Sequence, residues 1–316
     1  MNLTKKPQLL ATLAMLVTVV LWGISFISIK VAVGEVPPLT MALIRFAIAT
    51  VILLAISKKL EPDAKMQKED WPKMFLAGFL GVTVYFYFEN TGVKLTTASS
   101  ASLITAIIPI IAIIMDVLIF KTKISPLQWG GVSIAVVGTY LVVTANGQLD
   151  FSSAAFKGNL LMIGAMLAWI FYTILTKAFK DNYSGLFLTT YQTLCGTLLL
   201  IPFSLFEYQQ WQPFSLLVFG NILFLAVGCS ALCYFLYIYA LNKLDVAVTT
   251  IYLNLVPLVG VVSGYLILKE TILPIQCLGG IIIIAGIFLV TLTKQKSSIK
   301  TEDQSWEETE AKVSVV

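Results

Sequence analysis

The sequence predicts an all-α membrane protein of ten transmembrane helices, arranged as two inverted five-helix repeats. Three observations predict it: a composition far from that of soluble proteins, apolar runs of membrane-spanning length along the chain, and a self-similarity at a shift of about 148 residues. Of the 316 residues, 58% are hydrophobic and 12% charged, with a mean hydropathy of +0.89, whereas a soluble domain carries about 25% charged residues. Crossing roughly 30 Å of hydrocarbon takes about 18 or more apolar residues in a helix. Runs of that order cover 9–33, 38–57, 72–92, 97–119, 127–145, 158–178, 185–206, 214–240, 246–268 and 274–293. They are too long and too uniformly apolar for barrel strands, whose residues alternate, so helices are the structure that satisfies their backbone in lipid. The links are short, and the longest, 58–71, is too small to form a soluble domain.

The first run follows Lys5 and Lys6 but is too long for the apolar region of a signal peptide and lacks a small-residue cleavage site, so it reads as a retained helix. With the N-terminus inside, the inner links hold Lys58, Lys59, Lys65, Lys68, Lys73, Lys121, Lys123, Lys177, Lys180 and Lys243. The outer side holds Lys94, Lys157 and Lys269, with Lys30 near a helix end. This asymmetry satisfies the positive-inside rule, and an even helix count puts both termini in the cytoplasm. The tail 294–316, rich in Glu, Lys and Ser, reads as a disordered cytoplasmic extension.

The stretch from Ile107 overlays that from Leu255: Pro109 falls on Pro257, Lys121 on Lys269, Pro126 on Pro274, Gln128 on Gln276, Gly131 on Gly279 and Gly138 on Gly286. Trp22 and Lys30 match Trp169 and Lys177 at a shift of 147. Agreement in Leu and Ile is cheap in apolar sequence; agreement in Pro, Gly, Gln, Lys and Trp is not. The halves are 1–148 and 149–293. Five is odd, so the second half enters the membrane inverted, a plan of secondary transporters whose substrate lies near the midplane between the halves.

Taken in order, the helices carry these marked residues. Trp22, Phe26 and Lys30 form one stripe on the first. Lys30 reads as an interfacial anchor that snorkels to the outer headgroups, and Trp22 and Phe26 as a wall of the central cavity. Arg45 lies about two turns into the second helix, and Glu89 about one turn from the outer end of the third, at similar depth. A charge there costs about 2.5–3.5 kcal/mol on insertion scales, so the two are candidates for an ion pair or for a shared grip on a charged substrate. The run "ASSAS" at 98–102 lets the fourth helix approach a neighbour, as Gly131 and Gly138 do in the fifth. Asp116 reads as interfacial. In the sixth helix, Trp169 repeats Trp22, and in the seventh, Gln192 stands where Arg45 stands. Tyr85 in the third helix, and Tyr234 and Tyr237 in the eighth, are candidate cavity hydroxyls. Pro109 and Pro257 lie mid-span, as hinges or cavity-lining breaks that free the carbonyls of Thr105 and Leu253, with Asn254 as a polar contact beside the second. The ninth and tenth helices add "GVVSG" at 260–264, Gly279 and Gly286.

Trp22-Gly23-x-Ser25-Phe26 with Lys30, then Pro37, Arg45-Phe46 and a small-residue helix ending in proline, resemble the drug/metabolite transporter superfamily, in its EamA-type ten-helix branch. Lys269-Glu270 followed by Gln276, Gly279 and Gly286 resembles that branch's closing helices, and the likeness covers nearly all of 9–293. The resemblance implies a plasma-membrane carrier that moves small metabolites, often amino acids, outward by alternating access. It also implies a cavity formed mainly by helices one, three, four, six, eight and nine. The second half departs from the pattern, with Thr173 for an aromatic residue and Gln192 for arginine.

Other functions are disfavoured. The sequence has no histidine, hence no His-based general base and no HExxH metal site, and no Gly-x-Gly-Asp pair. It therefore does not read as an enzyme. Cys229 and Cys233 share a helix face, and such an isolated pair is ordinarily packing rather than a metal site. No nucleotide-binding loop is present and no cofactor is expected; a modest net charge of +4, concentrated in loops, argues against nucleic acid. A channel would need a continuous polar stripe. A carrier of sugar phosphates or nucleotide sugars is the alternative substrate class and would need several mid-depth cations, where Arg45 and Lys30 are the candidates. The expected partners are a small-molecule substrate, the lipid bilayer and protons as a candidate coupling ion through Glu89; a homodimer is compatible with the sequence.

Overall fold

The computed structural model describes residues 5–121, 124–144, 152–179, 183–241, 243–244 and 252–290. The expected tail at 294–316 and the start of the ninth span, 246–251, lie outside them.

Among the described residues, ten helices follow the expected order. They are α1 (Lys5–Glu35), α2 (Pro38–Leu60), α3 (Trp71–Gly78, continued through Phe79–Val84 and Tyr85–Leu95) and α4 (Ala98–Thr105 and Ile108–Phe120). Then come α5 (Pro126–Val143), α6 (Ala154–Lys177), α7 (Gly185–Ser204), α8 (Leu216–Leu223, Phe224–Leu232 and Cys233–Leu241), α9 (Val256–Leu268) and α10 (Pro274–Val290). Seven of these are long and apolar enough to cross a membrane, while α9 and α10 are shorter apolar helices. The polar residues at the starts are functional parts of the helices. Thr97, Ser153, Ser184 and Ser215 each accept a backbone N–H three residues on, and so begin α4, α6, α7 and α8. Pro38 opens α2, at a position where its missing N–H costs nothing.

Two irregularities recur in both halves. Phe79–Val84 of α3 and Phe224–Leu232 of α8 are π-helical, and a shift of 148 puts the first onto 227–232 of the second. α4 stops at Thr105 and resumes at Ile108, and a like turn at Asn254 and Leu255 precedes Val256 of α9. The prolines therefore interrupt the helices rather than bend them: Pro109 and Pro257 sit in the first turn of the resumed segments. A proline ring is tolerated there and excluded one turn later.

Repeat mates also share a strained backbone. Lys121 ends α4 at φ 52° and Lys269 ends α9 at φ 56°, and each returns its N–H to the carbonyl five residues back, on Asp116 and Gly264. This left-handed cap suits glycine, and an L side chain pays about 1–2 kcal/mol to adopt it. Lys269→Gly is expected to raise stability by about 1 kcal/mol, seen as a higher midpoint of thermal unfolding in detergent.

The chain divides into two compact units. One contains α5, α10 and the second segment of α4. In it, α5 and α10 cross backbone to backbone: a Cβ on Gly131 would stand 2.8 Å from the Gly286 carbonyl oxygen, and one on Gly138 would stand 2.6 Å from that of Gly279. Since Gly131 matches Gly279 and Gly138 matches Gly286, each contact is the other's image, with the helices antiparallel. This is the self-complementary contact that two-fold symmetry generates.

The other unit holds α1–α3, the first segment of α4, and α6–α9. Ser102 and Ser99 of α4 pack onto Gly260 and Gly264 of α9, the close approach expected of "ASSAS". Thr50 of α2 and Thr197 of α7, which are repeat mates 147 apart, share a buried hydrogen bond of 2.9 Å. At one end of this unit the Tyr183 hydroxyl donates to Asp70 (2.7 Å) and accepts from the Gln67 N–H (3.1 Å), so the 61–70 link and the end of the α6–α7 link lie together. Burial and the bond to Asp70 hold the Tyr183 phenol above its usual range, so it stays protonated through neutral pH. At the other end Glu35 meets Ser215. These are called the Asp70 end and the Glu35 end below.

Candidate functional site

All of the site lies in the larger unit. α1 places Trp22 so that its indole N–H donates to the Cys229 carbonyl (3.0 Å), within the π-helical turn of α8. The same ring meets Tyr234 edge-on at 6.0 Å and Tyr237 at 5.9 Å. The repeat mate of Trp22 does the equivalent: Trp169 of α6 meets Tyr85 of α3 at 5.4 Å, just past the other π-helical turn, and Tyr172 at 5.2 Å. Such turns widen a helix and leave a carbonyl for an outside donor, and they concentrate at functional sites. Here each one ends directly before the aromatic residues of the site.

Arg45 is 5% exposed on α2. Its Nε donates to the Ser230 hydroxyl (2.8 Å), and its guanidinium lies 4.6 Å from the Phe86 ring and 5.1 Å from the Phe46 ring. Its Nη1 is buried without a hydrogen-bond partner. Glu89 is likewise 5% exposed, and its Oε1 accepts from the Tyr85 hydroxyl (2.8 Å). The expected ion pair is not formed: among the described residues, Glu89 feels the charge of Arg45 but takes its hydrogen bond from Tyr85, while Arg45 turns to Ser230. A buried cation and a buried carboxylate thus face the same aromatic surroundings, each with spare hydrogen-bonding capacity. That arrangement is costly in a membrane and usually marks function.

In the second half, the counterpart of Arg45 is neutral. Gln192 is buried, accepts from the Tyr172 hydroxyl (2.8 Å) and donates to the Thr176 hydroxyl (3.0 Å). Trp169 touches both Tyr85 and Tyr172, and Arg45, set over the Phe86 ring that Tyr85 touches and bonded to Ser230, links this set to α8.

Among the sequence candidates, the structure gathers Trp22, Arg45, Tyr85, Glu89, Trp169, Tyr234 and Tyr237. Phe26 is buried on the same stripe of α1. Asn254 lies half-buried in the break before α9, and its neighbours Tyr252 and Leu253 pack on the cluster that Tyr237 also joins. Pro257 is buried at the head of α9, and Pro109 belongs to the smaller unit. Lys30 corrects its expectation. Rather than reaching for headgroups, its ammonium donates to the carbonyls of Val93 (2.8 Å), Lys94 (3.0 Å) and Thr96 at the end of α3. Its mate Lys177 is exposed, as an anchor would be. Ser230, Tyr172 and the Cys229 carbonyl are not singled out by the sequence, because a serine on the Tyr234 and Tyr237 stripe and a backbone carbonyl gain their meaning only from the partner helices that carry Arg45 and Trp22. Tyr172, one turn beyond Trp169, carried that much of a signal. Among the described residues, no three His, Cys, Asp or Glu side chains are grouped to hold a metal.

The EamA-like transporter family matches residues 9–144 and again 156–292. A protein of Archaeoglobus fulgidus named as an uncharacterized transporter is 30% identical over 290 residues, covering 92% of this chain and 98% of its own. A protein of Streptantibioticus cattleyicolor, named as a probable terminal-alkyne amino-acid exporter, is 26% identical over 280 residues, covering 89% of this chain and 93% of its own. A crystal structure with 17% identity superposes with a TM-score of 0.64 over 89% of this chain and 98% of that one, a likeness of fold.

Proposed function

Because the chain belongs to the EamA-like transporter family and carries several helices of membrane-spanning length, we propose that it exports small zwitterionic metabolites, amino acids foremost, by alternating access. The observation that carries this reading is the buried Arg45 with its unpartnered Nη1, set beside Glu89 among Trp22, Tyr85, Trp169, Tyr234 and Tyr237. A substrate carboxylate would take the free guanidinium nitrogen, its ammonium would face Glu89, and its side chain would lie among the rings. The name of the Streptantibioticus relative supports the same class. Sugar phosphates fit less well, since Lys30 is engaged by α3 carbonyls and leaves Arg45 as the cation of this group.

In this reading the repeats are 1–148 and 149–293, the protein sits in the plasma membrane, and the Asp70 end, with the lysines of the 58–71 link, faces the cytoplasm with both termini. Pro109 and Pro257 serve as break points of the moving helices. Glu89 couples transport to protons: Glu89→Gln is expected to abolish the dependence of vesicle uptake on a pH gradient, and unchanged coupling in that variant would refute the role. The reading as a whole is tested by screening metabolites released from cells that overproduce the protein, followed by uptake of each hit into proteoliposomes. Release of phosphorylated sugars, with no zwitterion among the hits, would overturn it.

A further inference from the structure

The Glu35 end holds a set of contacts that the central site does not use. Three carboxylates there each reach from one repeat to the first turn of a helix in the other. Glu35, closing α1, accepts from the N–H (2.6 Å) and the hydroxyl (2.9 Å) of Ser215, which begins α8. Glu207, beyond α7, accepts from the N–H groups of Leu39 (3.1 Å) and Thr40 (2.8 Å) and from the Thr40 hydroxyl (2.8 Å), at the head of α2. Glu270, one residue past the left-handed end of α9, accepts from the N–H groups of Ala98 (2.8 Å) and Ser99 (2.9 Å) and from the Ser99 hydroxyl, at the head of α4. The N–H groups of a first helical turn have no partner within the helix, and the helix dipole there favours an anion.

These helices do not need the carboxylates in order to start. Thr97 already caps α4, Ser215 already caps α8, and α2 opens on proline. What the carboxylates add is a bond between the halves that must break whenever the halves part at that end. Lys30 fixes the same α3–α4 turn from its other side, so residues 93–99 are held by a cation on their carbonyl end and an anion on their N–H end.

The repeat identifies the counterparts at the Asp70 end. The shift of 147 that carries Lys30 onto Lys177 and Thr50 onto Thr197 puts Glu35 on Asn182, which lies outside the described residues, while a shift of 148 puts Ser215 on Gln67, whose N–H donates to the Tyr183 hydroxyl (3.1 Å), next to that position. At that end, then, the matched Gln67 N–H meets a neutral oxygen rather than a carboxylate. Glu207 corresponds to Lys59, which is exposed, and Glu270 to Thr122, which lies outside the described residues.

We propose that Glu35, Glu207 and Glu270 are gating residues of transport, a charged latch that holds the Glu35 end closed, while the same three repeat positions at the Asp70 end carry no carboxylate. The proposal takes its meaning from the transporter reading, but its test needs no substrate. Hydrogen exchange of the full-length protein in nanodiscs, followed by mass spectrometry, compares wild type with Glu270→Gln and, separately, Glu35→Gln. Each single variant is expected to speed exchange about tenfold at all three heads, in peptides covering 36–42, 93–101 and 213–219, with 65–72 and 183–190 unchanged or slower. If each substitution speeds exchange only at the helix it caps, the carboxylates are independent caps and the latch is wrong. Equal acceleration at both ends, or none, overturns it as well. Glu207→Gln serves where either variant fails to fold. A failed efflux screen beside a cooperative exchange result would reject the substrate class while leaving the latch standing.

Discussion

Arg45→Ala is expected to lower transport about a hundredfold while leaving the protein as stable as before or more so. The two effects separate because the arginine is a liability to the fold. It is buried at mid-helix depth, its Nη1 has no partner, and its direct contacts are one hydroxyl and two ring faces. Glu89, the carboxylate that feels its charge, takes its hydrogen bond from Tyr85 instead. Removing such a charge relieves a desolvation cost of several kcal/mol. Removing it from the site proposed to hold a substrate carboxylate would forfeit the charge-assisted bond of that proposal. Arg45→Lys is not expected to restore full activity, since a compact ammonium lacks the planar fork that holds one nitrogen on Ser230 while another stands apart from it. Proteoliposome uptake and thermal unfolding, measured on the same preparations, read the two effects. Loss of activity together with loss of stability would make Arg45 a structural residue.

Gly138→Val is expected to be the most damaging single substitution in the smaller unit, at about 3 kcal/mol. Its first added carbon would stand 2.6 Å from the Gly279 carbonyl oxygen and 2.7 Å from the Ile283 nitrogen. Both are backbone atoms that cannot rotate away, so the helices must separate. Gly279→Val meets the Gly138 oxygen at 2.7 Å and should cost a similar amount. The double variant should cost less than the sum, because the first substitution has already opened the crossing. Chemical unfolding in detergent, or the folded yield from membranes, would show it, and strict additivity would argue against a shared contact.

Much of this arrangement was readable from residue types alone. The ten spans, the duplication and the paired glycines follow from hydropathy and from matches in Pro, Gly and Lys, which apolar drift does not produce. Trp22, Arg45, Tyr85 and Glu89 were legible because polar or aromatic groups inside an apolar helix are expensive enough to need a reason. What escaped notice depended on geometry that one-dimensional periodicity does not contain. Ser230 lies one turn before Tyr234 on the stripe that also carries Tyr237, but nothing in the sequence places that stripe against Arg45 of another helix. Lys30 looked like an anchor because its spacing from Trp22 is what an anchor would have; only the fold shows the end of α3 within reach. The carboxylates at the helix heads sit in links, where a glutamate ordinarily signifies nothing more than solvent.

The hydroxyls of Thr50 and Thr197 touch each other although each occupies the same position in its own half. A point that meets its own image can lie only on the pseudo-dyad itself. If the two ends exchange roles as proposed, the exchange carries this pair onto its own image, so its separation is the same in both end states. A spectroscopic label near this pair would therefore report one distance for both, which makes it the fixed fiducial against which displacement elsewhere is gauged.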